Sequence, residues 1–73
     1  MDEFLRKLAD ILEVDEVKPT DVLEDYPEWD SLSVLSAIAM IGSDYGINLR
    51  ASDVRTVITA QSLYELATRK NGH

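Results

Sequence analysis

The chain contains no cysteine, and its one histidine is residue 73. The first absence excludes a disulfide scaffold, a thiolate metal site and a cysteine nucleophile. The second leaves Ser-His and His-metal constellations without members, because a histidine at the chain end is expected to be disordered and is a poor general base. No apolar run approaches the ~20 residues of a membrane-spanning helix. The opening Met1-Asp2-Glu3 is acidic, unlike the basic start of a secretory signal, so the expected location is the cytoplasm. Positive charge is also scarce: 7 Lys and Arg stand against 14 Asp and Glu, a net charge of −7. Such a surface repels nucleic-acid phosphates and anionic lipid headgroups, so neither is an expected partner. It suits solubility and steered encounters with basic protein surfaces.

What is present is enough for one core. The hydrophobic share of 45% argues against disorder, and 73 residues are read as one domain, 1–73. A chain of this size buries only roughly 60% of its unfolded surface. It has no room for an interdomain cleft, and with no usable histidine or cysteine it is not expected to be an enzyme.

Phe4, Leu5, Leu8, Ala9, Ile11 and Leu12 have helical spacing on one stripe, which predicts a helix over about residues 2–13 with Asp2 as its cap. Residues 14–30 show no helical period and contain Pro19 and Pro27, and Val14, Val17, Val22 and Leu23 are expected to pin this long loop to the core. Asp30 and Ser31 both suit the start of a second helix, in which Val34, Leu35, Ile38, Ile41 and Tyr45 mark the core stripe and Gly46 the stop. Leu32 and Ala39 fall off that stripe. A short helix around Ser52–Val57, capped by Ser52 or Asp53, precedes a last helix. That helix is capped by Thr59, carries Leu63, Tyr64, Leu66 and Ala67, has Arg69 and Lys70 near its end, and stops at Asn71-Gly72. No alternating strand pattern occurs. The expected fold is all-α: a small four-helix bundle, three main helices plus one short, with a long loop between helices one and two.

Two features invite a chemical reading. The first is the acidic cluster Asp21, Glu24, Asp25, Glu28 and Asp30, which has no basic residue within it. An EF-hand loop needs a central glycine, and none occurs between residues 14 and 41. The cluster therefore reads as a solvated or docking face, and no metal is expected. The second is Ser31, where the acidic loop meets a helix start. Its hydroxyl is expected to be accessible, and a phosphate there would be stabilised by the positive end of the helix. Nothing in the chain can deprotonate it, so it is not a catalytic nucleophile and any reaction needs another protein. Ser33, Ser36 and Ser43 recur along one side of helix two, as a polar face or a contact strip.

At Asp30-Ser31-Leu32 these observations meet a family: the chain resembles the acyl carrier proteins. The resemblance runs through the apolar first helix, the long loop, the Asp30-Ser31-Leu32 motif, Asp44-Tyr45-Gly46, Ile47, Leu49, and Thr59-Ala60-Gln61-Ser62-Leu63. It implies a carrier whose Ser31 bears a covalent 4′-phosphopantetheine arm, with Asp30 and Leu32 completing the attachment motif. The arm's thiol would hold acyl groups as thioesters. A phosphopantetheinyl transferase would install the arm, using Mg²⁺ held largely in its own site. An acyl-loading ligase or acyltransferase and downstream biosynthetic enzymes would then be the partners, meeting a monomer at Glu28, Trp29, Leu32, Ser33, Ser36 and Ala39. The acid-rich second helix of the general fatty-acid carriers is missing: Ser33, Ser36, Gly42 and Ser43 fall where acids are common. This points to a specialised carrier in a dedicated fatty-acid or polyketide pathway. An aminoacyl or peptidyl carrier, and an acidic helical interaction module without a prosthetic group, are the alternatives.

Overall fold

A computed structural model describes the backbone of residues 1–71 and the side chains of residues 1–68. The expectations for the side chains of Arg69 and Lys70, for Gly72 as the helix stop and for His73 lie outside the described residues.

Helix α1 spans Asp2–Leu12 and buries Phe4, Leu8, Ala9 and Leu12, the stripe its spacing predicts. Met1, not Asp2, holds the cap position, without a side-chain bond. Asp2 and Glu3 instead lie in the first turn, where the helix dipole favours them. The helix ends at Glu13 in the left-handed region (φ 58°), which lets the Val14 N–H donate back to the Ala9 carbonyl at 3.0 Å.

The loop that follows is held at both of its edges. Val17 and Leu23 are buried in the core, with Val14 packed against it. The backbone is then stitched to the approach of the last helix. The Leu23 N–H donates to Ile58 O (2.9 Å), Ala60 N–H to Asp21 O (3.1 Å) and Gln61 N–H to Pro19 O (3.0 Å). Val22 and Thr59 form a lone antiparallel bridge, and Leu23–Asp25 make one 3₁₀ turn that the sequence pattern does not announce.

Helix α2 spans Ser31–Tyr45 and stops at Gly46, whose φ of 69° is what makes glycine suitable there. Its buried face is Ser33, Val34, Ala37 and Ile41. Leu35, expected on the core stripe, is 58% exposed, and Ala37, off that stripe, is fully buried. The reason is compositional: eight of the ten residues 32–41 are apolar, so several stripes fit and packing alone selects one.

Helix α3 is shorter than expected, Ala51–Arg55, and begins at Arg50 rather than at a Ser52 cap. The Asp53 carboxylate reaches back to accept the Arg50 N–H at 3.1 Å, and Val54 is fully buried. Helix α4 spans Ala60–Asn71. Thr59 caps it as expected, its Oγ1 accepting the Ser62 N–H at 3.1 Å, and Ala60, Leu63 and Ala67 are fully buried.

The result is the expected small all-α bundle: three longer helices, α1, α2 and α4, and one short one, with no strand among the described residues. One end is fastened by aromatics from three helices. Phe4 meets Tyr64 at 5.2 Å and Tyr45 at 6.0 Å between ring centroids, and Tyr45 meets Tyr64 at 6.3 Å, all edge to face. Lys7 pairs with Asp44 beside them, which raises the Lys7 pKa, while burial raises that of the Tyr45 phenol.

Candidate functional site

The opposite end of α2 is built from the loop upward. Pro27 is the second residue of a turn closed by the Trp29 N–H on the Tyr26 carbonyl (3.0 Å), a position its fixed φ suits. Asp30 follows in extended conformation as the cap of α2, its Oδ1 accepting the Ser33 N–H at 3.0 Å. Its own carbonyl takes the Val34 N–H at 2.9 Å. Asp30 therefore supplies the cap, and Ser31, the first residue inside the helix, is not used as one. The Ser31 side chain is exposed. The N–H groups of Ser31 and Leu32 have no carbonyl within the helix to bond, as at any helix start.

The structure brings in a residue that the sequence reading did not single out. Arg55, the last residue of α3, donates from its guanidinium to Ser31 Oγ at 3.2 Å. It makes no ion pair among the described residues, although Glu24 and Asp30 line the same surface groove with Trp29 and Val34. The sequence signal was faint: one cation at the end of a five-residue helix, 24 positions from the serine. Only the packing of α3 on α2, anchored by Val54, places it there.

The other expected site residues divide. Glu28, Leu32, Ser36 and Ala39 are exposed, and Leu32, at 73%, is the most exposed large apolar side chain. Leu35 joins them on the same outer surface of α2. Trp29 is half-buried and packs against the core. Ser33 corrects an expectation. It is only 8% exposed, and its hydroxyl donates to the Glu28 carbonyl. It braces the loop against the helix and is not part of an open polar face. The helical angle between positions 33 and 36 explains the error: three residues turn about 300°, enough to move from the inner face to its edge.

The acidic cluster also divides. Glu24, Asp25, Glu28 and Asp30 are exposed, but Asp21 is a structural brace. Its Oδ2 accepts the Lys18 N–H (2.9 Å) and the Tyr26 hydroxyl (2.7 Å). Both bonds, the Lys18 N–H foremost, hold its pKa below the usual carboxylate range. The same carboxylate, followed by burial, pushes the Tyr26 phenol up to about 12. No group of three or more His, Cys, Asp or Glu side chains among the described residues converges as a metal site would require.

The site is thus one exposed serine at a helix start, held by a single arginine bond beside an acidic loop, on a small helical bundle. The chain is 35% identical over 74 aligned residues to Polyketide-8 synthase acyl carrier protein 2 of Streptomyces avermitilis, covering 96% of this chain and 84% of that protein. It belongs to the acyl carrier protein family, and is accordingly a carrier and not an enzyme. No protein-family model matches it, and no solved structure does. Acyl carrier proteins generally bear a phosphopantetheine group and serve biosynthetic enzymes. No helix among the described residues is long and apolar enough to cross a membrane.

Proposed function

We propose that Ser31 is the attachment point of a 4′-phosphopantetheine arm, and that residues 1–73 act as one monomeric carrier domain in the cytoplasm. The reading rests on one observation: in an Asp30-Ser31-Leu32 sequence at the start of α2, Asp30 does the capping and leaves the Ser31 hydroxyl exposed. The surroundings fit a phosphodiester. An arginine lies within hydrogen-bond reach of Ser31 Oγ, the site is a helix start with unpaired N–H groups, and the adjacent Asp30 carboxylate is engaged by the Ser33 N–H.

When bound, the arm supplies a thiol that carries acyl groups as thioesters, which this chain, lacking cysteine, does not itself provide. The chain's own residues do the rest. Ser31 presents its oxygen. The Arg55 bond occupies one lone pair of that oxygen and does not take up the hydroxyl proton, for which a transferase must supply the base. Leu32, Leu35, Ser36 and Ala39 form the surface next to the attachment point, edged by Glu28 and Asp30. This is the face on which the transferase, a loading ligase or acyltransferase, and the downstream enzymes dock. The name of the Streptomyces relative supports polyketide assembly as the dedicated pathway.

The test is intact mass after incubation with coenzyme A, Mg²⁺ and a broad-specificity phosphopantetheinyl transferase. The wild type gains the mass of the arm, and Ser31→Ala gains nothing while keeping its helical spectrum. An unmodified wild type leaves the interaction module as the better reading, and modification of Ser31→Ala moves the site elsewhere.

A further inference from the structure

We infer that Arg55 is the phosphate-binding residue of the arm, drawing its root toward α3 and away from the acidic loop. The inference rests on the carrier reading of Ser31 and adds a residue to it.

The argument is one of charge and spare donors. A phosphodiester on Ser31 adds one negative charge next to Asp30 and beside a groove that Glu24, Asp30 and Arg55 line. Like charges so placed repel, and the acidic loop contains no cation between residues 21 and 30 to offset them. Among the described residues, Arg55 is the one cationic side chain lining that groove. It already contacts the oxygen that would become the ester oxygen, at 3.2 Å. A guanidinium carries five N–H donors in a planar fork that matches phosphate oxygens. Only the bond to Ser31 is formed among the described residues, and no carboxylate engages the group as an ion pair. Its donors are therefore available to the two non-bridging oxygens without breaking an existing pair. Its backbone is fixed as well: Arg55 follows the fully buried Val54, and the Val57 N–H closes the turn on the Val54 carbonyl at 3.3 Å.

Esterification also changes the pair in a defined way. Before it, Arg55 bonds a neutral hydroxyl. Afterwards it faces an anion, and an ion-pair attraction is added to a bond that until then had charge on one side only. Arg55 should therefore favour the modified form over the unmodified one.

A thermodynamic cycle reads this directly. The full chain is prepared unmodified and modified, as wild type, Arg55→Gln and Arg55→Lys, and unfolded in urea. In wild type the arm should raise the folding equilibrium constant about 3- to 10-fold more than it does in Arg55→Gln. Arg55→Lys should retain part of the difference, since it keeps the charge and loses the fork. The ³¹P resonance of modified Arg55→Gln should shift from that of wild type, and added NaCl should shrink the gap. If the arginine merely latches the free hydroxyl, its replacement would weaken the unmodified form most, giving the opposite sign. That sign, or a null cycle with coincident ³¹P resonances, overturns the inference and leaves Ser31 as the attachment site. A wild type that accepts no arm overturns both readings.

Discussion

The two ends of α2 are built for different work. At the C-terminal end, Phe4, Tyr45 and Tyr64 interlock three helices, Lys7 pairs with Asp44, and Gly46 closes the turn. At the N-terminal end, Leu32 and Leu35 are left 73% and 58% exposed and Ser31 is held by one cross-helix bond. Apolar area is buried where the bundle is fixed and left open on the face proposed to meet partners. In so small a protein the first end has to carry much of the stability, because the second withholds large side chains from the core.

The sharpest break between the ends should be Phe4→Ala against Leu35→Ala. Phe4 is 1% exposed and contacts both tyrosines, so its truncation should cost ~3–5 kcal/mol. A domain of this length has on the order of 4–11 kcal/mol in total, so the variant should melt far lower or be largely unfolded. Leu35→Ala should stay within ~0.5 kcal/mol of wild type. Urea unfolding of both variants checks it. Comparable losses would mean that the outer surface of α2 is part of the core and that the contrast between the ends is false.

What was legible in the sequence was local. The α1 stripe, the Thr59 cap and the Gly46 stop follow from spacing and local chemistry, which act over a turn or less. Asp30 and Ser31 were likewise visible as a helix start. The rest depended on distance. The register of α2 could not be read because its apolar residues nearly encircle it, so Leu35 was expected inside but is exposed, and the buried Ala37 was not singled out. Ser33 was misplaced for the same reason. Arg55 was invisible because its role arises from the packing of two helices and not from its neighbours in sequence.

A finer cut separates structure from function within two adjacent residues. Asp30 holds the cap and Ser31 holds the hydroxyl. Asp30→Ala should cost ~1 kcal/mol, with Asp30→Asn restoring most of it, since an amide oxygen also accepts the Ser33 N–H. Ser31→Ala should change stability by less than ~0.5 kcal/mol, having no cap to lose. Thermal melts of the three variants rank them. A Ser31→Ala loss equal to that of Asp30→Ala would show that the serine shares the capping, and would blur the division that leaves its hydroxyl free.

The smallest effects should come from the proposed docking face. Partners that read an acidic second helix through arginines find no acid among the exposed residues 32, 35, 36 and 39. Introducing them tests whether that surface sets partner choice. Ser33→Asp is the wrong choice, because it would bury a carboxylate against the Glu28 carbonyl that Ser33 now donates to. Ser36→Glu and Ala39→Glu keep both changes in solvent. Each new rim pair is worth ~0.2–1 kcal/mol, so together they should speed acyl transfer by arginine-reading fatty-acid enzymes on the order of 2- to 10-fold. A dedicated partner fitted to the present neutral face should slow by a similar factor, through the cost of desolvating two carboxylates. The effect should fade in 0.5 M NaCl, where the Debye length falls to about 4 Å. Acyl transfer rates for wild type and double variant with each class of enzyme measure it. Rates that change alike for both classes would show that the neutral outer surface of α2 does not discriminate, and would move specificity to the acidic loop or to the groove at Arg55.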